Sequence, residues 1–381
     1  MKLDFLEPVT HKGPWASVYA TTGPPDEASA QRRELTWSEL CRSLEEQGAD
    51  KETTRAVREA LDRVRPDTGQ RGLALFAAEG RVALTRGLDR PPSVTEALWA
   101  DLPHVTPLLE PVGQAPVCLV ARVDRGGADY RVHGAATAEE AGSVEGRDWP
   151  LHKASSGDWS ATHFDAAVEN TWEENAALIA DELAALCRAH GAAMMMLAGG
   201  ARECHAVRER LPADLREMTR ISEHGGRAAG ADTDLLMADV EAARMEMAAQ
   251  GTEEVLDRFR AGRADGDRDR TAVEGIPAVV DAVRQHRVDT LLISPEGADS
   301  GREVWVGDAP DQVAVRRSEA ESLGAGSPHA ARADDALVLS AAATGGEAVM
   351  VPGDSSADIP AGGIGALLRW PRSGPEEAAD R

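Results

Sequence analysis

Aromatic side chains are scarce in this 381-residue sequence, at 4%: eight tryptophans, four phenylalanines and two tyrosines. Alanine, glycine and leucine must therefore fill much of the core. Cysteine is scarcer still. Cys41, Cys118, Cys187 and Cys204 lie far apart in apolar patterns. Such spacing argues against a disulfide framework and fits a reducing cytoplasm. No apolar run approaches the roughly 18 residues of a membrane helix, so no membrane partner is expected. The opening "MKLDFLEPVT" has two acids within seven residues and no long apolar block, so it is not expected to be a signal peptide.

Positive charge is the third shortage. Lys and Arg total 41 against 65 Asp and Glu, a formal net charge of −24. Residues 1–113 carry 14 basic and 18 acidic side chains, residues 114–232 carry 12 and 19, and residues 233–381 carry 15 and 28. A field of this sign repels bare nucleic acid at long range, and no DNA partner is expected. The first third is the least unfavourable surface for RNA, and the last third suits a protein partner. Solubility alone is the alternative explanation.

What is present is packed globular structure, with 42% hydrophobic residues. The length exceeds one ordinary core, so two or three domains are expected. "GPWASVYATT" (13–22) reads as a strand, 27–47 and 50–64 as amphipathic helices, and 72–88 as a hairpin turning near Glu79-Gly80. The proline-bearing 103–116 reads as a boundary. Two strands flank Arg125-Gly126-Gly127, and the acidic stretch 138–148 leads into a polar loop. A helix is expected over 165–190, a buried strand over 192–200, a helix over 201–211 and a strand over 215–222. Beyond the glycine-rich 223–232, a helix is expected over 233–261 and another over 275–286. Strands are expected at 288–294 and 302–307, a helix then a strand within 334–351, and a strand at 362–370. Helices and strands alternate throughout, so the expected fold class is mixed α/β.

Candidate chemistry is thin. Cys187, His190, Cys204 and His205 supply zinc-ligand types, but adjacent Cys204 and His205 make a poor clamp, and no metal or cofactor is expected. Ser155, Asp158 and His163 could be drawn as a nucleophilic site, yet no G-x-S-x-G elbow surrounds them. "LAGGARE" and "EHGGRAAGAD" are glycine-rich after strands but match neither phosphate-loop spacing. The loop "HKASSGDWSATHF" (152–164) holds donors for phosphate or ribose in Lys153, the serines and the histidines, flexibility in Gly157, and a stacking surface in Trp159. Its plain reading is a connector with Trp159 packed back on its own domain.

The order of three stretches adds to this. "WPLHKASSGDWSATHFDAAVENTWEENAALIADELA", then "MMMLAGGARE", then "ISEHGG" resembles the middle domain of the archaeal and eukaryotic class-1 peptide-chain release factors and of Pelota. "GIPAVVDAVRQHRVDTLLIS" and the ending "GGIGALLRW" resemble their C-terminal domain. "GPWASVY", "QRRELTWSELCRSLEEQ" and "DTGQRGLALFAAEGRVAL" are similar to the bacterial branch, and more narrowly to an actinobacterial group related to the ribosome hibernation factor Balon.

The resemblance implies three domains: an N-terminal α/β domain (1–113), an RNase H-like middle domain (114–232) and an L7Ae-like C-terminal α/β sandwich (233–375). It implies a cytoplasmic, ribosome-bound factor in a vacant A site, touching ribosomal RNA and proteins, with a translational GTPase such as EF-Tu as a further partner. In release factors the matching loop carries Gly-Gly-Gln, whose glutamine helps water attack the peptidyl-tRNA ester. Here residues 152–164 hold no glutamine. Asp158, as an anion, is poorly suited beside an ester developing negative charge. The expectation is therefore a hibernation or protection factor that does not hydrolyse peptidyl-tRNA. A rescue enzyme that does, and a stress-associated module without ribosome contact, are the alternatives. The expected contacts are His152, Lys153, Ser156, Gly157, Trp159 and His163 in the loop, with Arg32, Arg33, Arg55, Arg58 and Arg71 at the decoding end. The implied RNase H-like fold also raises nuclease chemistry, but Asp124 ends its strand without a neighbouring carboxylate cluster.

Overall fold

A computed structural model describes residues 1–11, 13–23, 27–64, 71–88, 90–113, 116–134, 141–145, 158–227, 232–264, 270–353 and 360–371. The chain divides into two units, one made of residues 1–113 and 250–381, the other of residues 114–249.

The first part of the chain opens with a short 3₁₀ turn (Asp4–Val9), then β1 (Trp15–Thr21), α1 (Glu27–Glu46), α2 (Lys51–Asp62), β2 (Gly72–Ala78), β3 (Arg81–Leu88), β4 (Glu96–Ala100) and α3 (Thr106–Gly113). The strands form an antiparallel sheet in the order β3-β2-β1-β4. The small residues of β1 and β2 let both faces be covered. Ala16, Val18, Ala20, Leu73 and Leu75 pack with Trp37, Leu44 and Val57 of the two helices. Trp15, Tyr19, Ala74 and Phe76 face the opposite core. The β2–β3 turn has Glu79 at φ 50° and Gly80 at φ 72°, the left-handed pair that a two-residue hairpin needs. Asp50 caps α2 by accepting Thr53 N–H at 2.8 Å, which lowers its carboxyl pKa. The expected break at 103–116 is largely helical, because Pro107 sits in the first turn of α3, where its missing N–H costs nothing.

The second unit contains β5 (Cys118–Val123), β6 (Gly127–His133), β7 (Ala141–Glu145), α4 (Asp158–His190), β8 (Met194–Gly199), α5 (Ala201–Arg210), α6 (Ala213–Glu217), β9 (Thr219–Ser222) and the first half of α7 (Thr233–Ala264). Its sheet runs β7-β6-β5-β8-β9, with β5, β8 and β9 mutually parallel. Leu119, Ala121, Met195 and Leu197 meet Ile179 and Leu183 of α4 and Val207 of α5. Cys118, Val120, Met194 and Met196 meet Leu236, Val240 and Ala243 of α7. Burial on both faces explains the unbroken apolar run in β8. Residues 138–148, read as a lead-in, include strand β7. Residues 215–222 are a helical turn followed by a strand, because Pro212 starts α6 and Asp214 and Arg216 complement its dipole.

The last part holds β10 (Ala272–Glu274), α8 (Ile276–Arg284), β11 (Val288–Ile293), β12 (Glu303–Val306), β13 (Val313–Ala314), α9 (Arg317–Ser322), β14 (His329–Arg332), α10 (Ala333–Ala343), β15 (Glu347–Met350) and β16 (Ile364–Leu368). It makes two sheets, β10-β16-β11-β15 and β13-β12-β14. Gly363 stands at φ 86°, and a Cβ there would lie 2.4 Å from Gly297 Cα, so "GGIG" is a packing requirement. Within the first unit, Leu3, Tyr19, Phe76 and Leu108 share one core with Ile276, Leu291, Val304, Leu337 and Ile364. The architecture is mixed α/β in every part.

Candidate functional site

The expected contact loop lies between β7 and α4. Edge strand β7 pairs with β6 from Gly127↔Glu145 to Arg131↔Ala141, and α4 begins at Asp158. His152, Lys153, Ser156 and Gly157 lie outside the described residues. Trp159 and His163 fall in the first turns of α4 rather than in a loop, and their side chains also lie outside the description.

The frame beneath is well braced. Trp172, Ala176 and Ile179 bury the inner face of α4. Buried Asn175 donates from Nδ2 to Arg125 O at 3.1 Å, tying α4 to the β5–β6 turn. Asp124 Oδ1 accepts Gly126 N–H at 2.8 Å, Gly127 N–H at 2.9 Å and Arg227 Nη1 at 2.9 Å. Arg227 Nη2 also reaches Asp129 at 3.1 Å. Burial opposes the Arg227 charge, but the two carboxylates outweigh it and raise its pKa. Arg125 donates to Glu203 at 2.9 Å, which lowers the Glu203 pKa. Gly199 has φ 147°, and a Cβ on it would lie 2.2 Å from Val123 O. Side chains larger than hydrogen cannot enter where β5, β8 and the 223–227 turn converge.

At the same strand edge, Ser222 Oγ donates to Asp239 Oδ2 at 2.5 Å, and His224 Nδ1 bonds the same oxygen at 2.9 Å. Hydrogen bonding raises the His224 pKa and lowers that of Asp239. One carboxylate serves both partners, so the serine bonds the acid and not the imidazole. The serine–base contact of a hydrolytic relay is missing from this trio.

Among the described residues no group of three or more His, Cys, Asp or Glu could hold an ion. Asp124 and Asp129 are both committed to Arg227. Cys204 is buried while the adjacent His205 is exposed, so the two side chains diverge. Burial pushes Cys187 and Cys204 up to about 11 and Cys118 up to about 12, which keeps all three thiols protonated at neutral pH.

The arginines of the first part divide into two groups. Arg33 Nη1 donates to Thr22 O at 3.2 Å, and Thr22 N–H donates to Arg71 O at 3.1 Å. Arg32 lies close by on Ser29 Oγ at 3.1 Å. On α2, Arg58 is drawn into its own fold, bonding Glu34 at 2.5 Å, Asp62 at 3.2 Å and Ser38 at 3.1 Å. Arg55 lies 4.0 Å from Glu59. Arg33 and the backbone of Arg71 thus meet at Thr22, Arg32 bonds Ser29, and Arg55 and Arg58 pair with carboxylates.

Sequence reasoning missed a buried polar centre in the first unit. Asp335 Oδ1 accepts Val105 N–H at 2.9 Å, Thr106 N–H at 3.0 Å and Thr106 Oγ1 at 2.8 Å. His104 Nδ1 donates to Asp335 Oδ2 at 2.7 Å, and Tyr19 Oη donates to His104 O at 2.7 Å. Burial opposes the His104 charge, but the Asp335 contact raises its pKa overall. Arg332 donates to both oxygens of buried Asp334, at 3.1 and 2.7 Å. The only possible sequence signal was the doublet Asp334-Asp335 at the start of an otherwise apolar helix.

Residues 117–265 match the family model described as bacterial archaeo-eukaryotic release factor family 2. The uncharacterized protein Rv2629 of Mycobacterium tuberculosis strain H37Rv is 30% identical over 367 residues, covering 95% of each chain. The solved structures include archaeal translation termination factor aRF1, at 18% identity and TM-score 0.26, covering 96% of this chain and 95% of that one. The Saccharomyces cerevisiae translation termination-like factor Dom34 has 14% identity and TM-score 0.34, covering 73% and 74%. Pelota in a model of ribosome-bound archaeal Pelota and ABCE1 has 13% identity and TM-score 0.40, covering 97% and 94%. These scores are low, so assignment rests on the family model and the full-length sequence relative. On that basis the chain belongs to bacterial archaeo-eukaryotic release factor family 2, a bacterial branch of the superfamily of archaeal release factors and Pelota.

Proposed function

We propose that this protein binds the vacant A site of idle or stalled ribosomes as a hibernation or protection factor and leaves the peptidyl-tRNA ester intact. It works in the cytoplasm as three functional parts, residues 1–113 toward the decoding centre, 114–232 toward the peptidyl-transferase centre, and 233–375 toward ribosomal protein or a translational GTPase such as EF-Tu. His152, Lys153, Ser156, Gly157, Trp159 and His163 touch ribosomal or transfer RNA. Arg32, Arg33, Arg55, Arg58 and Arg71 are the decoding-end contacts, with Arg55 near Glu59 of its own helix and Arg58 between Glu34 of α1 and Asp62 of α2.

The observation that carries this reading is family membership combined with the segment "HKASSGDWSATHF", which has no glutamine where the family's release factors carry theirs. Family membership supports ribosome association. The missing glutamine argues against hydrolysis, because an aspartate cannot donate a hydrogen bond to the developing oxyanion.

Purified protein added to ribosomes loaded with peptidyl-tRNA tests the second half. The expected result is release at the rate of buffer alone. Release that depends on the protein and is lost in Asp158→Ala or His163→Ala would make it a rescue enzyme instead.

A further inference from the structure

Ser340 lies in α10 and is buried, at 2% exposure, yet among the described residues its hydroxyl has no hydrogen-bond partner. A serine inside a helix ordinarily has a carbonyl one turn back to bond. Thr344, at the end of the same helix, uses such carbonyls: its Oγ1 donates to Ser340 O at 3.0 Å and to Ala341 O at 3.2 Å. Ser340 does not, so its hydroxyl is turned away from the carbonyls of its own helix. A buried hydroxyl is costly to leave without a bond.

Ala336, Leu339 and Ser340 recur at helical spacing on one side of α10 and line a cleft of about 400 Å³, its solvent-open mouth included. Leu102, Val306 and Val313 supply further walls. The cleft is therefore built from both ends of the chain, within the first unit. Its size falls at the lower end of small-molecule sites, which run from about 300 to 1,000 Å³. The one charged residue on its lining is Asp308, which is exposed to water, and no basic residue lines it.

We propose that this cleft binds a small uncharged aliphatic molecule with one hydroxyl or carbonyl oxygen, its carbon chain against Leu102, Val306, Val313 and Leu339 and its oxygen on Ser340 Oγ. The apolar walls favour a chain of a few carbons. A carboxylate finds no base there and would shed its water without compensation. A plain hydrocarbon fills the walls but leaves the hydroxyl without a bond. That hydroxyl lies just behind the lining, shielded from bulk water, and one staggered turn of its side chain brings it to the ligand. The site does not depend on the ribosome reading, since it needs only the first unit.

The test titrates pentanol and pentanone into the full chain, labelled at its leucine and valine methyl groups and read by NMR. Saturable shifts are expected at Leu102, Val306, Val313 and Leu339, with the methyl groups of the second unit unmoved. Pentane is expected to bind several-fold more weakly, and pentanoate and pentylamine are expected not to displace the alcohol. Ser340→Ala is expected to weaken pentanol binding about fivefold, the worth of one neutral hydrogen bond, and to leave pentane binding unchanged. The substitution removes a hydroxyl that has no partner, so its urea midpoint should match or exceed that of the wild type, and lost binding is then not lost folding. The proposal is overturned by no saturable shift, as from a cleft holding only water, or by shifts centred on other methyl groups. Pentanoate or pentylamine binding as tightly as pentanol, or Ser340→Ala binding pentanol like the wild type, would overturn it too. So would a Ser340→Ala midpoint well below that of the wild type, which would mean that the hydroxyl is already bonded inside the fold.

Discussion

Asp335 sets the tone of the residue scale. Its carboxylate accepts four hydrogen bonds from Val105, Thr106 and His104 while buried. Asp335→Ala strands those donors without partners and is expected to destabilise the first unit by about 3–5 kcal/mol, read as a lower urea midpoint. Asp335→Asn retains an acceptor and should cost less. His104 gives this centre a pH signature. Its folded pKa is raised, so the charged pair contributes fully below the unfolded histidine value of about 6.5 and is lost as pH rises through the folded value. The wild type should lose thermal stability over that rise relative to His104→Gln, and parallel pH profiles for the two proteins would refute the role. None of this was legible in the sequence, since 231 positions separate His104 from Asp335 and no local pattern records such a pairing.

At the scale of elements, legibility follows length and periodicity. The β2–β3 hairpin was readable because Glu79-Gly80 punctuates two apolar runs, and α1, α2 and α7 because their apolar positions recur every three or four residues. Strands β10, β13 and β14 have two to four residues, too few to show alternation. The start of α4 was placed seven residues late, at 165 rather than 158, because "DWSATHF" is too polar to reveal a helical face. The candidate loop rests on composition and order alone, since 152–157 lie outside the described residues and 158–164 belong to α4. The partition of the arginines was not legible, because Arg58 meets Glu34 only once α1 and α2 pack. Two substitutions probe this scale. Asp50→Ala removes the α2 cap and should cost about 1 kcal/mol. Gly199→Ala drives a methyl into Val123 O and should cost more than about 2 kcal/mol, measured by denaturant unfolding, with both strands β5 and β8 losing exchange protection.

For the whole molecule, the charge of −24 bears directly on the proposed ribosome binding. Long-range repulsion disfavours indiscriminate RNA binding, so the proposed ribosome contact would rest on a few groups such as Lys153 and Trp159, and association should depend weakly on salt compared with a basic RNA-binding protein. Stacking on one base contributes about 1–3 kcal/mol, so Trp159→Ala should weaken ribosome binding by roughly tenfold to a hundredfold. The most direct measurement is co-sedimentation of the purified protein with vacant ribosomes through sucrose at physiological salt. The wild type should travel with the ribosomes saturably and Trp159→Ala should largely remain behind. Wild-type protein left entirely in the supernatant at every ribosome concentration would contradict A-site occupancy.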